Sequence, residues 1–214
     1  MAFSKFKLFG LQRTCTNLLL HALRKTYVIE SLEDNYEWKH GAIGPVADTG
    51  AATVCSVKDP FAWLSSMYRF AHTTPDKDHC PLFDTAWSFA EFLRQPHYTW
   101  PNPAQRWNAM NTHYADWVAQ HPEQGFLVHS ERLMGTGNQE RVIREIGDHF
   151  GWTGGPVTFQ ERVFHDGSEA HVRMDFEYYL SKAYLGEYSN EDSQFIRSSL
   201  DLSLACRLGY EEAI

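Results

Sequence analysis

Apolar residues in this chain follow two rhythms. KFKLF at 5–9, ATVCSV at 52–57 and FLVH at 126–129, just after Gly125, are short apolar-rich runs bounded by turn or polar residues. Runs of this length predict strands, and a nearly continuous one such as ATVCSV predicts a strand covered on both faces, as in a parallel sheet. Between these runs the spacing changes to three and four. TNLLLHALRK sets Leu18, Leu19, Ala22 and Leu23 on one side of a helix, and NPAQRWNAMNTHYADWVAQ does the same with Trp107, Met110, Tyr114, Trp117 and Val118. FAWLSSMYRF follows Asp59-Pro60, and the second long helix follows Asn102-Pro103. In both places a capping side chain precedes a proline that suits the first helical position.

Shorter signals fill the rest. DTAWSFAEFLRQ predicts one helix within the loop-like stretch from His72 to Trp100, and NQERVIREIGDHFG turns Val142, Ile143, Ile146 and Phe150 inward. Residues 153–176 carry no clear period. YYLSKAYL follows, and then one helix is expected from about Asn190 to Cys206, stopped near Gly209. Strands alternating with helices predict a three-layer α/β/α fold around a mainly parallel sheet. With 214 residues and no shift in composition, residues 1–214 are expected to form one domain. Ligands of such sheets sit beyond the carboxyl ends of the strands, which here are Gly10 to Thr16 and Lys58 to Pro60.

A net charge of −8 excludes broad electrostatic binding to nucleic acid or to an anionic membrane surface, so an anionic ligand needs a local basic pocket. Cysteines at 15, 55, 80 and 206 form no CxxC pair, and no apolar leader precedes the first polar residues. A reduced, cytosolic protein without disulfides is expected. The longest apolar runs are far too short to span a bilayer. Seven Trp and ten Tyr allow a ring-walled cleft, although Trp107, Tyr114 and Trp117 are assigned to the core.

FGLQRTCTNLL, residues 9–19, runs from a strand into a helix, where free N–H groups and the helix dipole favour an anion. Arg13, Thr14, Thr16 and Asn17 add donors. Against the pattern GxxxxGK[ST], Gly10 fits, but Cys15, Thr16 and Asn17 stand where Gly, Lys and the magnesium-binding hydroxyl belong. No strand ends in a second magnesium-binding Asp, because Asp59 is committed to capping, so magnesium-dependent kinase or GTPase chemistry is disfavoured. If Cys15 has positive φ, its side chain carries a strain of about 1 kcal/mol or more. Lys58, with Ser66, Tyr68 and Arg69 on the next helix, can grip a second phosphate, or can be a surface lysine beside a packed serine. His72, His79 and Cys80 fit no zinc spacing, and no metal is expected.

The order and spacing of these pieces resemble the sulfotransferase family, whose donor is 3′-phosphoadenosine 5′-phosphosulfate. GLQRTCTNL resembles the family's GxxRTGTT loop, and Lys58, Pro60 and Ser66 keep the offsets of its second motif, continued by SMYRF at 66–70. NPAQRWNAMNTHYADW, FLVHSERL and the closing LGY extend the likeness over most of the chain. The resemblance implies that Gly10, Arg13, Thr14, Cys15, Thr16 and Asn17 hold the 5′-phosphosulfate, and that Lys58 and Ser66 hold the 3′-phosphate. Arg173 stands in for the family's late loop over the adenosine. WKHG at 38–41 is similar to a KxH arrangement shortened by one. His40 would then be the general base and Lys39 would reach the bridging oxygen or sulfonate, unless His40 only bonds a loop carbonyl and Lys39 is solvated.

There are departures from the family pattern. Lys58 replaces an arginine and loses its fork, and Leu18 stands where many relatives place a tryptophan against adenine. Glu131 is read as capping or structural. The implied reaction is metal-free sulfuryl transfer to a hydroxyl or amine of a small-molecule or glycan acceptor. Arg13 would stabilise the leaving phosphate, and the His72–Trp100 stretch would be a lid or acceptor wall. The rival readings are a divergent kinase using magnesium-ATP and a non-catalytic nucleotide-binding relic of the fold.

Overall fold

In the computed structural model, which describes residues 3–32, 38–44, 50–73, 87–135, 137–157 and 176–211, the KFKLF run is strand β1 (Lys5–Gly10). It lies inside a four-stranded sheet of order β2-β1-β3-β4, completed by β2 (Glu30–Ser31), β3 (Ala52–Val57) and β4 (Gly125–His129). All three pairings are parallel, with Leu8 opposite Val54 and Cys55 opposite Leu127. The two-residue β2 was not foreseen. It forms because Glu30 N–H donates to the Ser4 carbonyl and Leu32 N–H to the Phe6 carbonyl along the outer edge of β1.

The helices, in chain order, are α1 (Thr16–Thr26), α2 (Pro60–Thr73), α3 (Phe89–Arg94), α4 (Pro103–Gln120), α5 (Ser130–Met134), α6 (Asn138–Phe150) and α7 (Phe176–Leu180). A 3-10 turn (Ala183–Glu187), α8 (Asn190–Ser199) and α9 (Leu202–Arg207) follow. Successive strand side chains face opposite ways. Phe6, Leu8, Val54 and Val128 therefore pack with Leu19 and Leu23 of α1 and Ile143 and Ile146 of α6. Phe9, Cys55 and Val57 pack on the other face with Trp63 of α2, Trp107 and Tyr114 of α4, and Ile196 and Leu204 near the C-terminus. Helices cover both faces, compatible with the three-layer expectation, and Trp107, Tyr114 and Trp117 are indeed buried.

The single helix expected from Asn190 to Cys206 is two. Asn108 of α4 causes the break: its amide donates to the Ser199 carbonyl and its oxygen accepts from Asp201 N–H. The Asp201 carboxylate then caps α9 by accepting from Leu204 N–H.

The chain steps from β1 to β2 on one side, then crosses back over β1 to β3 and β4 on the other. Neighbouring connections thus diverge between β1 and β3, and sheets of this kind take their ligands at the carboxyl ends of such a strand pair. Among the described residues no helix is long and apolar enough to cross a membrane, and Cys15, Cys55 and Cys206 are free thiols. Arg173, His79 and Cys80 lie outside the described residues.

Candidate functional site

From Gly10 the chain turns through a tight loop into α1, and two non-glycine residues of that loop are left-handed: Arg13 (φ 69°) and Cys15 (φ 61°). Cys15 occupies the N-cap without a side-chain cap bond, and its carbonyl accepts from Leu19 N–H. Its positive φ costs about 1–2 kcal/mol for an L-residue. Strain of this kind persists where surrounding bonds over-determine the backbone. Those bonds are present: Thr14 Oγ1 donates to the Leu11 carbonyl at 2.7 Å, and the Ser56 hydroxyl of β3 donates to the Thr14 carbonyl. The N–H groups of Thr16, Asn17 and Leu18 then point out of the helix with no acceptor among the described residues. Together with the helix dipole they form a concavity suited to an anion.

Gly10 is required by close approach. A Cβ there would lie 2.7 Å from the Ser56 carbonyl oxygen and 2.7 Å from Thr14 Oγ1. Gly10→Ala is expected to destabilise the ligand-free protein by about 1–3 kcal/mol, lowering Tm by roughly 2–10 °C. An unchanged thermal melt would show that the Ser56 and Thr14 contacts give way at little cost.

Residues 38–41 make a turn, closed by Gly41 N–H donating to the Trp38 carbonyl, that is bonded to the loop in both directions. Gly10 N–H donates to the Lys39 carbonyl at 2.9 Å, and His40 Nδ1 lies 2.6 Å from the Gly10 carbonyl. Lys39 Nζ donates to Asn17 Oδ1 at 2.7 Å, and Tyr114 of α4 donates to the Gly41 carbonyl. A carbonyl can only accept, so Nδ1 of His40 carries the proton and Nε2 is its basic nitrogen when neutral. This is the carbonyl bond expected of a merely structural histidine, and it is equally the bond that orients a base.

Lys58, at the end of β3, is 1% exposed, and its ammonium lies 3.6 Å from the ring centroid of Tyr179 on α7. Trp107 Nε1 fixes its backbone by donating to the Lys58 carbonyl. Burial lowers the Lys58 pKa to about 8; Cys15 and Glu131 pull it back up, and Arg13 depresses it further. Glu131 of α5 is structural, as expected: one carboxylate oxygen accepts from Asp59 N–H at 2.8 Å and the other from Tyr210 Oη at 3.1 Å. Asp59 caps α2 by accepting from Ala62 N–H, and burial raises its pKa to about 6. Burial also raises the Cys15 thiol, which meets the Ser130 hydroxyl, so the thiol stays protonated. Arg13 places its guanidinium 5.1 Å from the Phe70 ring centroid, and its Nε is buried with no hydrogen-bond partner among the described residues.

The predicted residues Gly10, Arg13 to Asn17, Lys39, His40 and Lys58 therefore gather at the carboxyl ends of β1 and β3. Ser66 does not join them by any hydrogen bond among the described residues; it is buried in α2 at 2% exposure. Ser65 instead donates to Glu187, which is also bonded by Tyr178. Tyr178 stacks on Arg69 at 4.0 Å. Sequence reasoning gave no part to Tyr178 or Tyr179. The pair stands more than a hundred residues from its cations, and no spacing rule could connect them. Compared with protein-family models, curated proteins and solved structures, the chain matches none.

Proposed function

We propose that this chain is a P-loop-like sulfotransferase that moves a sulfuryl group from 3′-phosphoadenosine 5′-phosphosulfate to a hydroxyl or amine of a small-molecule or glycan acceptor. The observation that carries the reading is the two-way backbone and side-chain junction between Gly10 and the Lys39-His40 pair. The His40 ring and the Lys39 ammonium thus lie against the Gly10–Asn17 loop, which supports reading that loop as the donor site. Arg13 and the α1 N–H groups receive the 5′-phosphosulfate. As the acceptor oxygen or nitrogen bonds to sulfur, the bond from sulfur to the 5′-phosphate oxygen breaks. The acceptor proton passes to His40 Nε2, and the charge left on the phosphate meets Arg13 and the loop. In this reading Lys39, which donates to Asn17, also reaches the sulfonate. Lys58 takes the 3′-phosphate, and its buried ammonium gains a counter-charge when it does.

The test is thermal stabilisation. Adenosine 3′,5′-bisphosphate at about a hundred times its Kd is expected to stabilise the fold by about 2.7 kcal/mol, raising Tm by roughly 5–10 °C. ATP with magnesium is expected to do much less. The reverse ranking would replace this reading with the kinase. Stabilisation by bisphosphate without turnover of labelled donor on any acceptor would leave a nucleotide-binding relic.

A further inference from the structure

The outward side of α1 carries a run of charge that the core does not use. Leu18, Leu19, Ala22 and Leu23 are buried, so the helical period turns Asn17, His21, Arg24 and Lys25 outward, at i, i+4, i+7 and i+8. Arg24 and Lys25 are exposed and make no hydrogen bond or ion pair among the described residues. The stripe starts at the loop itself, where Lys39 Nζ donates to Asn17 Oδ1 at 2.7 Å. Burial, and then the charges of Arg24, Lys39 and Lys25, hold the His21 pKa below its ordinary value, so three cations act on one ring. From Asn17 to Lys25 the helix rises about 12 Å.

This charge is unlike most of the surface. The chain has 27 acidic and 19 basic residues, yet α1 contains neither Asp nor Glu. Elsewhere surface arginines are neutralised: Arg94 meets Asp192 at 2.7 Å, Arg132 meets Glu145 at 2.6 Å and Arg207 meets Asp116 at 2.7 Å. A chain of net charge −8 repels a nucleotide carrying several phosphate charges, and an unneutralised run of cations leading to the loop reverses that sign locally. Exposed charges beyond contact distance act on the encounter: they change the association rate and its salt dependence, and leave dissociation nearly untouched. Arg24 and Lys25 also lie in the last turn of α1, where cations offset the negative end of the helix dipole. That role does not account for Lys39, which reaches the stripe from another part of the chain.

We infer that Arg24 and Lys25, continued by Lys39, steer a multiply anionic nucleotide along the outer face of α1 to the Gly10–Asn17 loop. The inference rests on reading that loop as a nucleotide site. Arg24 and Lys25 take no part in the chemistry and do not hold the bound ligand.

Stopped-flow tryptophan fluorescence with adenosine 3′,5′-bisphosphate measures association and dissociation separately. At an ionic strength of about 0.01 M, where charges act over about 30 Å, Arg24→Gln/Lys25→Gln is expected to slow association at least about fivefold and to leave dissociation within about twofold. At about 1 M, where that reach falls to about 3 Å, variant and wild type should associate at the same rate. Arg197, exposed on α8 across the sheet and also without an ion pair among the described residues, supplies the control. Arg197→Gln changes net charge as much as Arg24→Gln does, and should slow association less. Equal slowing by the two overturns steering in favour of net charge alone. A double variant that associates like wild type at low ionic strength also overturns it, and if that variant melts lower, the pair only offsets the helix end. Faster dissociation with unchanged association would make Arg24 and Lys25 ligand contacts and overturns steering as well. If ATP binds and bisphosphate does not, sulfuryl transfer falls, and the same rate comparison run with ATP decides the steering. If neither nucleotide binds, both readings fall.

Discussion

His40→Asn is expected to lower turnover of the sulfuryl donor by about 100- to 10,000-fold, the usual contribution of a positioned general base. Asparagine is chosen because its amide nitrogen sits close to where Nδ1 of histidine sits. It can keep donating to the Gly10 carbonyl, which His40 Nδ1 meets at 2.6 Å. The substitution therefore deletes the basic Nε2 and leaves the strut in place. Bisphosphate affinity should stay within about threefold, since the loop N–H groups, Arg13 and Lys58 are untouched. His40→Ala removes both strut and base. It should lose a comparable amount of turnover, together with about 1 kcal/mol of stability from the missing hydrogen bond. The comparison separates the strut role from the proposed base role. If His40→Asn turns over like wild type while His40→Ala fails in both binding and turnover, the histidine is a loop strut and the base lies elsewhere.

The parts of this molecule readable from sequence are those fixed by neighbours within a few residues. β3 at 52–57 is an apolar run, and the α2 start rests on Asp59 accepting from a backbone N–H three residues on. The α4 start rests in the same way on Asn102 accepting from Gln105 N–H. The strand-to-helix passage at Gly10 to Thr16 was legible for the same reason, as was the possibility of strain at Cys15. Three features were not legible, because each depends on a distant partner. β2 has two polar-leaning residues and exists only as the edge partner of β1. The break before Asp201 belongs to Asn108, on another helix. Asp201 was itself a readable cap, but a run of helix-compatible residues on both sides hid it. The Lys58–Tyr179 pair has no sequence period at all, since its two members stand more than a hundred residues apart. Ser66 keeps its motif offset from Lys58, and its hydroxyl makes no bond to the cluster among the described residues.

Lys58→Met should split stability from binding. A buried ammonium whose pKa is driven from 10.5 to about 8 carries a burial cost of roughly 3 kcal/mol relative to its neutral form. The face of Tyr179 returns about 2 kcal/mol of that. A methionine of similar length keeps the packing and removes the charge, so the ligand-free variant should gain about 1 kcal/mol and melt about 2–4 °C higher. Bisphosphate affinity should fall roughly 10- to 100-fold, as a charge-assisted contact worth about 1.5–3 kcal/mol is lost. The pH dependence follows with a definite sign. Between pH 8 and 10.5 the unfolded chain holds the Lys58 proton more tightly than the folded one, so this residue makes stability rise with pH across that window. Binding runs the other way. Below pH 8 the ammonium is present to meet the phosphate. Above it binding must take up a proton, and wild-type affinity should weaken toward tenfold per pH unit. In Lys58→Met that slope should vanish. Calorimetry at pH 7 and pH 9 measures both effects, and a variant that melts lower than wild type but binds bisphosphate normally would make Lys58 a packing residue. The opposed signs are what the proposed anion site predicts: the cost of the buried ammonium to the empty fold is offset when a bound anion supplies a counter-charge.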